Sequence, residues 1–107
     1  MPFEFGDVVL VRFPFTSQTD AKQRPAVVVS NRAYNETRPD IVAMAITTNL
    51  EPGEVLITDW QTAGLLRPSA FKPLFATFEQ GLIVRQFGVL AACDRAALKK
   101  LIGEVLG

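Results

Sequence analysis

Histidine is absent from this chain, and cysteine occurs once, as Cys93. Without histidine there is no Ser-His-Asp or Cys-His nucleophile system, and no pair of imidazoles for acid/base cleavage of RNA. Any catalysis has to come from Arg, Lys, Asp, Glu, Ser, Thr, Tyr or backbone groups. A single cysteine excludes an intrachain disulfide and a cysteine-rich zinc site, and fits a reducing compartment. The residues therefore give no reason to expect a metal or a cofactor. Net charge is also lacking, with 11 basic against 11 acidic side chains, whereas nucleic-acid binders are often strongly basic. Long apolar runs are missing too, and none approaches the roughly 18–20 residues of a membrane span. The opening residues MPFEFGDVV carry an acid early and no basic leader. No signal peptide is expected from them, and a cytoplasmic location is.

What is present suits a folded domain. The 107 residues are 49% hydrophobic, too apolar for a disordered chain and long enough for one core. A single domain over residues 1–107 is expected, with no linker, repeat or low-complexity segment. The neutral total hides a local bias: Arg12, Lys22, Arg24, Arg32 and Arg38 stand against Asp20 and Glu36 in one third of the chain.

The apolar runs are short and separated by turn residues. Strands are expected at 8–13, 25–30, 41–47, 55–57, 66–72, 74–78 and 82–90. Residues 15–23 and 31–40 read as polar connections, and 59–63 as a helical turn stopped by Gly64. At the C-terminus Asp94 is expected to cap a helix whose stripe Leu98, Leu101, Ile102, Val105 and Leu106 faces the core. Many short strands followed by one helix predict a mainly β fold, a small antiparallel barrel with a C-terminal α-helix.

The stretch KQRPAVVVSN, residues 22–31, places Arg24 before Pro25. The residue before proline is held extended, so Arg24 stands at the entrance of a strand. Consecutive strands usually pair. An antiparallel ladder with Ser30 opposite Ile41 puts Arg24 opposite Thr47, on one sheet face with Cβ atoms about 4.5–5.5 Å apart. A register slip of one residue would bring Thr48 there instead. A guanidinium grips phosphate oxygens in a planar fork, and a threonine hydroxyl donates to a further oxygen. The same two residues also suit a plainer role, a solvated charge and a β-former at strand ends. Both readings stand on geometry alone.

The ordered set GDVVLVRFPF, RPAVVVSN and IVAMAITTN, continued by DWQTAGLLRPS and LIVRQFGVL, resembles the MazF/PemK family of type II toxin–antitoxin toxins, in particular its PemK-like branch. The resemblance spans nearly the whole chain. It implies an SH3-like barrel with a C-terminal helix, a homodimer, and a cognate antitoxin protein as partner. It further implies metal-independent cleavage of single-stranded RNA, messenger RNA included, leaving a 2′,3′-cyclic phosphate and a 5′-hydroxyl. The family's catalytic Arg and Thr match Arg24 and Thr47. Its RNA-contacting loop corresponds to TSQTDAKQ, which offers Thr16, Ser17, Gln18 and Lys22. Many relatives have a Gly-rich or Ser-Glu-Gln segment there, so sequence preference does not carry over.

Thr48 and Asn49 either read a base edge or form the turn before Glu51-Pro52. Phe15 and Tyr34, in loop context, are candidate stacking platforms, while Phe13 and Trp60 read as core. Asp20, Glu36 and Glu79 are the carboxylates considered as general base, and nothing singles one out. Two rival functions share the fold: a CcdB-like toxin that binds a protein such as DNA gyrase, and a catalytically silent SH3-like binding module. The RP…TTN pair favours the ribonuclease.

Overall fold

Alternation along the strands sends side chains into two cores, one on each face of a single bent sheet. The structure, a computed structural model, describes residues 3–13 and 22–107. Its elements are β1 (Asp7–Phe13), β2 (Lys22–Val28), α1 (Arg32–Thr37), β3 (Asp40–Thr47), β4 (Val55–Leu56), β5 (Ala70–Glu79), β6 (Ile83–Val89) and α2 (Ala92–Leu106). The strands are ordered β4-β5-β3-β2-β1-β6, and every neighbouring pair is antiparallel. Val8, Val27, Met44 and Ile46 point to one face, where Leu98 and Leu101 of α2 cover them together with Ile57, Phe71 and Leu90. Val9, Val11, Ala26, Val28, Ile41 and Ala43 point to the other, against Phe78, Leu82 and Ile83.

The mainly β class with a C-terminal helix is as expected, but the barrel is not closed. β5 pairs with β3 and β6 pairs with β1. The 3₁₀ turn Gln80–Leu82 links them, and no ladder joins β5 to β6 among the described residues. β4 and β6 are therefore the sheet's edges.

Prolines shape the sheet differently from the sequence expectation. β5 is one strand through Pro73, not two. Its pairing with β3 jumps from Met44↔Phe75 to Ala45↔Lys72, so Pro73 and Leu74 form a bulge. A residue without an N–H is tolerated there. Pro25 lies inside β2 rather than at its start. β2 pairs with β1 as far as Lys22, yet its ladder with β3 ends at Ala26↔Ala45. The missing donor coincides with the point where β2 and β3 part.

Residues 31–40, expected as a plain connection, contain α1. Asn31 caps it, its Oδ1 accepting the Tyr34 N–H at 2.9 Å, and Pro39 follows its end. Buried Asn35 anchors α1 by donating to the Phe3 and Ser30 carbonyls. In α2 the cap position falls at Ala91, which has no capping side chain. Asp94 instead serves another segment, described below. Leu98 and Leu101 are buried as expected and Ile102 packs partly against this core, but Val105 and Leu106, in the last turn of α2, are exposed.

Candidate functional site

Arg24 and Thr47 come to the same end of the sheet. The observed β2–β3 register, Ala26↔Ala45, Val27↔Met44 and Val28↔Ala43, is the one assumed from sequence. Continued two residues beyond the last ladder pair, it sets Arg24 against Thr47. Both follow the face of Ala26 and Ala45. They are not joined by the ladder itself. Arg24 pairs with Val11 of β1 and Thr47 with Ala70 of β5, so each is held by its other neighbour.

Arg24 is exposed. Among the described residues the ion pairs are those of Arg32 with Glu4 and Glu36, so Arg24 spends its charge on no carboxylate there. Thr47 is half-buried. Its Oγ1 accepts the Asn49 N–H at 3.0 Å, which occupies a lone pair and leaves the hydroxyl hydrogen free to donate. Asn49 in turn donates to Glu51 at 3.3 Å. Thr48 and Asn49 are both exposed in the turn after β3. Lys22 opens β2 at the same end, paired along the backbone with Phe13. Thr16, Ser17 and Gln18, with Phe15 and Asp20, lie outside the described residues.

Two of the carboxylates considered as base are elsewhere. Glu79 pairs with Asp40, seven residues along β3 from Thr47, roughly 23 Å at the rise of an extended strand. Glu36 is engaged by Arg32 at 3.0 Å on α1. The carboxylate tied to the Thr47 turn is Glu51. Tyr34 is also remote. It packs under Arg38, 4.8 Å from its ring centre, and its hydroxyl donates to Asp40. Among the described residues no three His, Cys, Asp or Glu side chains gather where a metal ion could be held.

A cleft that sequence reasoning missed opens on the opposite face of this same sheet end. It has a volume of about 220 Å³ and is lined by Pro25, Thr48, Gly64–Arg67, Ser69 and Phe87. The segment DWQTAGLLRPS builds most of it. Residues 60–65 close a turn in which the Gly64 N–H donates to the Gln61 carbonyl and the Leu65 N–H to the Trp60 carbonyl. This pairing ends a helical turn at a left-handed glycine, and Gly64 has φ +85°. A Cβ at Gly64 would lie 2.5 Å from the Phe87 carbonyl oxygen, and one at Gly88 would lie 2.9 Å from the Ala63 oxygen. Two glycines thus let the turn lie backbone to backbone on β6. Asp94 fixes the start of the turn, accepting the Thr58 and Asp59 N–H groups, each at 2.8 Å. The glycine before a paired leucine was the available signal.

An open six-stranded antiparallel sheet with a terminal helix defines the class: a small, mainly β domain. The chain matches the family model "PemK-like, MazF-like toxin of type II toxin-antitoxin system" over residues 4–106. It belongs to that family and is a type II toxin. No curated protein is significantly similar to it. Among solved structures it is similar to a MazE–MazF complex from Deinococcus radiodurans, with TM-score 0.80 and 21% identity over 100% of this chain and 98% of that one. It is also similar to a mycobacterial endoribonuclease in complex with its cognate antitoxin, with TM-score 0.78, 19% identity, and 99% and 94% coverage. A third is the Mycobacterium tuberculosis toxin MazF-mt6, with TM-score 0.76, 20% identity, and 94% and 95% coverage. At these identities the likeness concerns the fold. No helix of the described residues is long and apolar enough to cross a membrane.

Proposed function

We propose that this toxin is a metal-independent endoribonuclease that cleaves single-stranded RNA by attack of a 2′-hydroxyl on its own phosphate. The observation that supports this reading is the β2–β3 register, which, continued past the last ladder pair, sets Arg24 across from Thr47. Cleavage forms the 2′-O–P bond and breaks the P–O5′ bond, giving a 2′,3′-cyclic phosphate and a 5′-hydroxyl. Negative charge grows on the non-bridging oxygens, and a preorganised donor counts most where charge develops. Arg24 supplies that donor from a rigid strand. The Thr47 hydroxyl, its lone pair held by the Asn49 N–H, donates to a phosphate oxygen and aligns the attack. The 2′-proton leaves to a base, for which Glu51 is the carboxylate tied to this turn. The leaving 5′-oxygen takes a proton from solvent water, and Glu51 returns the 2′-proton to solvent, so the net proton count is unchanged. Dependence on a 2′-hydroxyl makes DNA a non-substrate.

The chain acts as one domain over residues 1–107, in the cytoplasm, as a homodimer held in check by a cognate antitoxin. The family membership and the antitoxin complexes of similar structures support the antitoxin. Exposed Leu56, Leu74 and Val84 support burial against a second copy. Thr16, Ser17, Gln18, Lys22, Thr48 and Asn49 are proposed to line the RNA path.

The test is single-turnover cleavage of a labelled single-stranded RNA in chelator. Arg24→Ala is expected to slow it by roughly 10²–10³, the loss seen when one charge-stabilising donor is removed. Thr47→Ala should also cripple it, with melting unchanged within about 1 kcal/mol. Near-wild-type cleavage by both folded variants would refute the site.

A further inference from the structure

The cleft beside the Arg24–Thr47 end has a shape and surroundings that the proposed chemistry leaves unused. Its floor and walls are apolar, from Pro25, Leu65, Leu66 and Phe87. At about 220 Å³ it is smaller than the roughly 300–1,000 Å³ of sites for drug-sized ligands, so it suits one ring system and not a whole nucleotide. Leu66 is 95% exposed at its rim, unusual for a leucine with no partner.

Sequence neighbours link the cleft to the phosphate clamp. Arg24 and Pro25 are consecutive and point to opposite faces, since Val27 and Ala26 beyond them belong to different cores. Thr47 and Thr48 divide in the same way, with Thr48 lining the cleft. A strand of RNA crossing this sheet end can therefore leave a phosphate on one side and drop the adjoining base over the edge into the other.

The rim carries matching charge. Arg67 lines the cleft. Arg85 lies across from Leu10, which in turn pairs with Pro25, and its guanidinium sits 4.8 Å from the centre of the Phe87 ring. Neither arginine is in an ion pair among the described residues. The chain is neutral as a whole, but the paired charges among the described residues, Arg32 with Glu4 and Glu36, are on α1 and the N-terminal segment. Unpaired guanidinium groups around a flat apolar slot suit a base attached to phosphates better than an apolar side chain. Ser69, buried in the wall, donates its hydroxyl to the Arg67 carbonyl at 2.9 Å. With its hydrogen so used, its remaining lone pair can only accept.

We propose that this cleft binds one unstacked nucleobase next to the scissile phosphate, against the Phe87–Arg85 wall, with Ser69 accepting from an amino or ring N–H and Arg67 on a flanking phosphate. The assignment rests on the ribonuclease reading and adds the residues that set base preference. The test uses the full chain and two oligonucleotides: a good single-stranded RNA substrate, and the same RNA with an abasic residue beside the scissile bond. Wild type should cut the intact RNA roughly tenfold faster, about what one stacked base contributes. That ratio should fall toward one in Phe87→Ala/Ser69→Ala, which removes the stacking ring and the acceptor, with its fold checked by thermal melting. A ratio near one in wild type, or an unchanged ratio in the folded double variant, overturns the cleft assignment alone. If wild type cuts neither RNA, the ribonuclease reading fails and the cleft assignment fails with it.

Discussion

Asp94→Ala tests the claim that α2 holds the turn beneath the cleft through one carboxylate. Asp94 is 1% exposed and accepts two backbone N–H groups at 2.8 Å, from Thr58 and Asp59. A hydrogen bond to a charged group contributes about 1.5–3 kcal/mol, so the two together contribute about 3–6 kcal/mol. Asp94 also stands in the first turn of α2, where a negative charge adds about 0.3–1 kcal/mol. Removing a buried charge returns part of this, because the carboxylate no longer has to be kept from water. A net loss of about 3 kcal/mol is expected, and two N–H groups are left without partners. At this chain length that is a fall in Tm of roughly 12 °C. Asp94→Asn should lose a large share as well, since its amide has one acceptor oxygen and sets an NH₂ against the other donor. Asp59→Ala is the control, because its side chain accepts a single long bond of 3.4 Å from Thr62. Trp60 is the lone tryptophan and sits in the anchored turn, so its fluorescence follows the turn while circular dichroism follows the whole fold. Both probes are expected to shift in Asp94→Ala. A Tm within about 2 °C of wild type in both Asp94 variants would refute the clamp.

Gly64→Ala should cost well over 1 kcal/mol in urea melts, because it needs a left-handed backbone and its Cβ meets the Phe87 carbonyl. Burial raises the Asp7 carboxyl above its ordinary value, against the lowering effect of the Glu4 N–H. The folded protein thus holds this proton more tightly than the unfolded chain. The associated stability is fully present below the unfolded pKa of about 3.9 and is lost as pH rises through the folded pKa. Asp7→Asn should flatten that decline in melts across this range, and a parallel decline in both proteins would count against the assignment. For the proposed chemistry, Arg24→Lys should restore little of the rate lost in Arg24→Ala, while Thr47→Ser should keep part of it, both read in the single-turnover assay.

The sheet was legible because its pattern is local. Each strand shows in its own β-branched and aromatic run, and β2 and β3 fall into the register that their facing residues require. α1 is hard to read from sequence although Asn31 carries a capping signal, since a six-residue segment whose nonpolar side chains are only Ala33 and Tyr34 has no apolar stripe to detect. Pro73 reads as a strand break in the sequence because local preference opposes it. The pairing of β5 with β3 on both sides of Pro73 turned it into a bulge instead.

By itself the sequence determined the class, the strands, the helix and the nearness of Arg24 to Thr47, all of which follow from alternation, proline and neighbouring strands. Tertiary structure alone decided that β5 and β6 stay unpaired, that Asp94 holds a turn some thirty-five residues away in the chain, and that Glu36 and Glu79 lie far from Thr47. It also decided that Gly64, Ser69 and Phe87 meet Pro25 and Thr48 in one cleft. The reason is physical. These are contacts between segments distant in sequence, set by how the turn and β6 pack on a shared core, and no spacing within one segment encodes them.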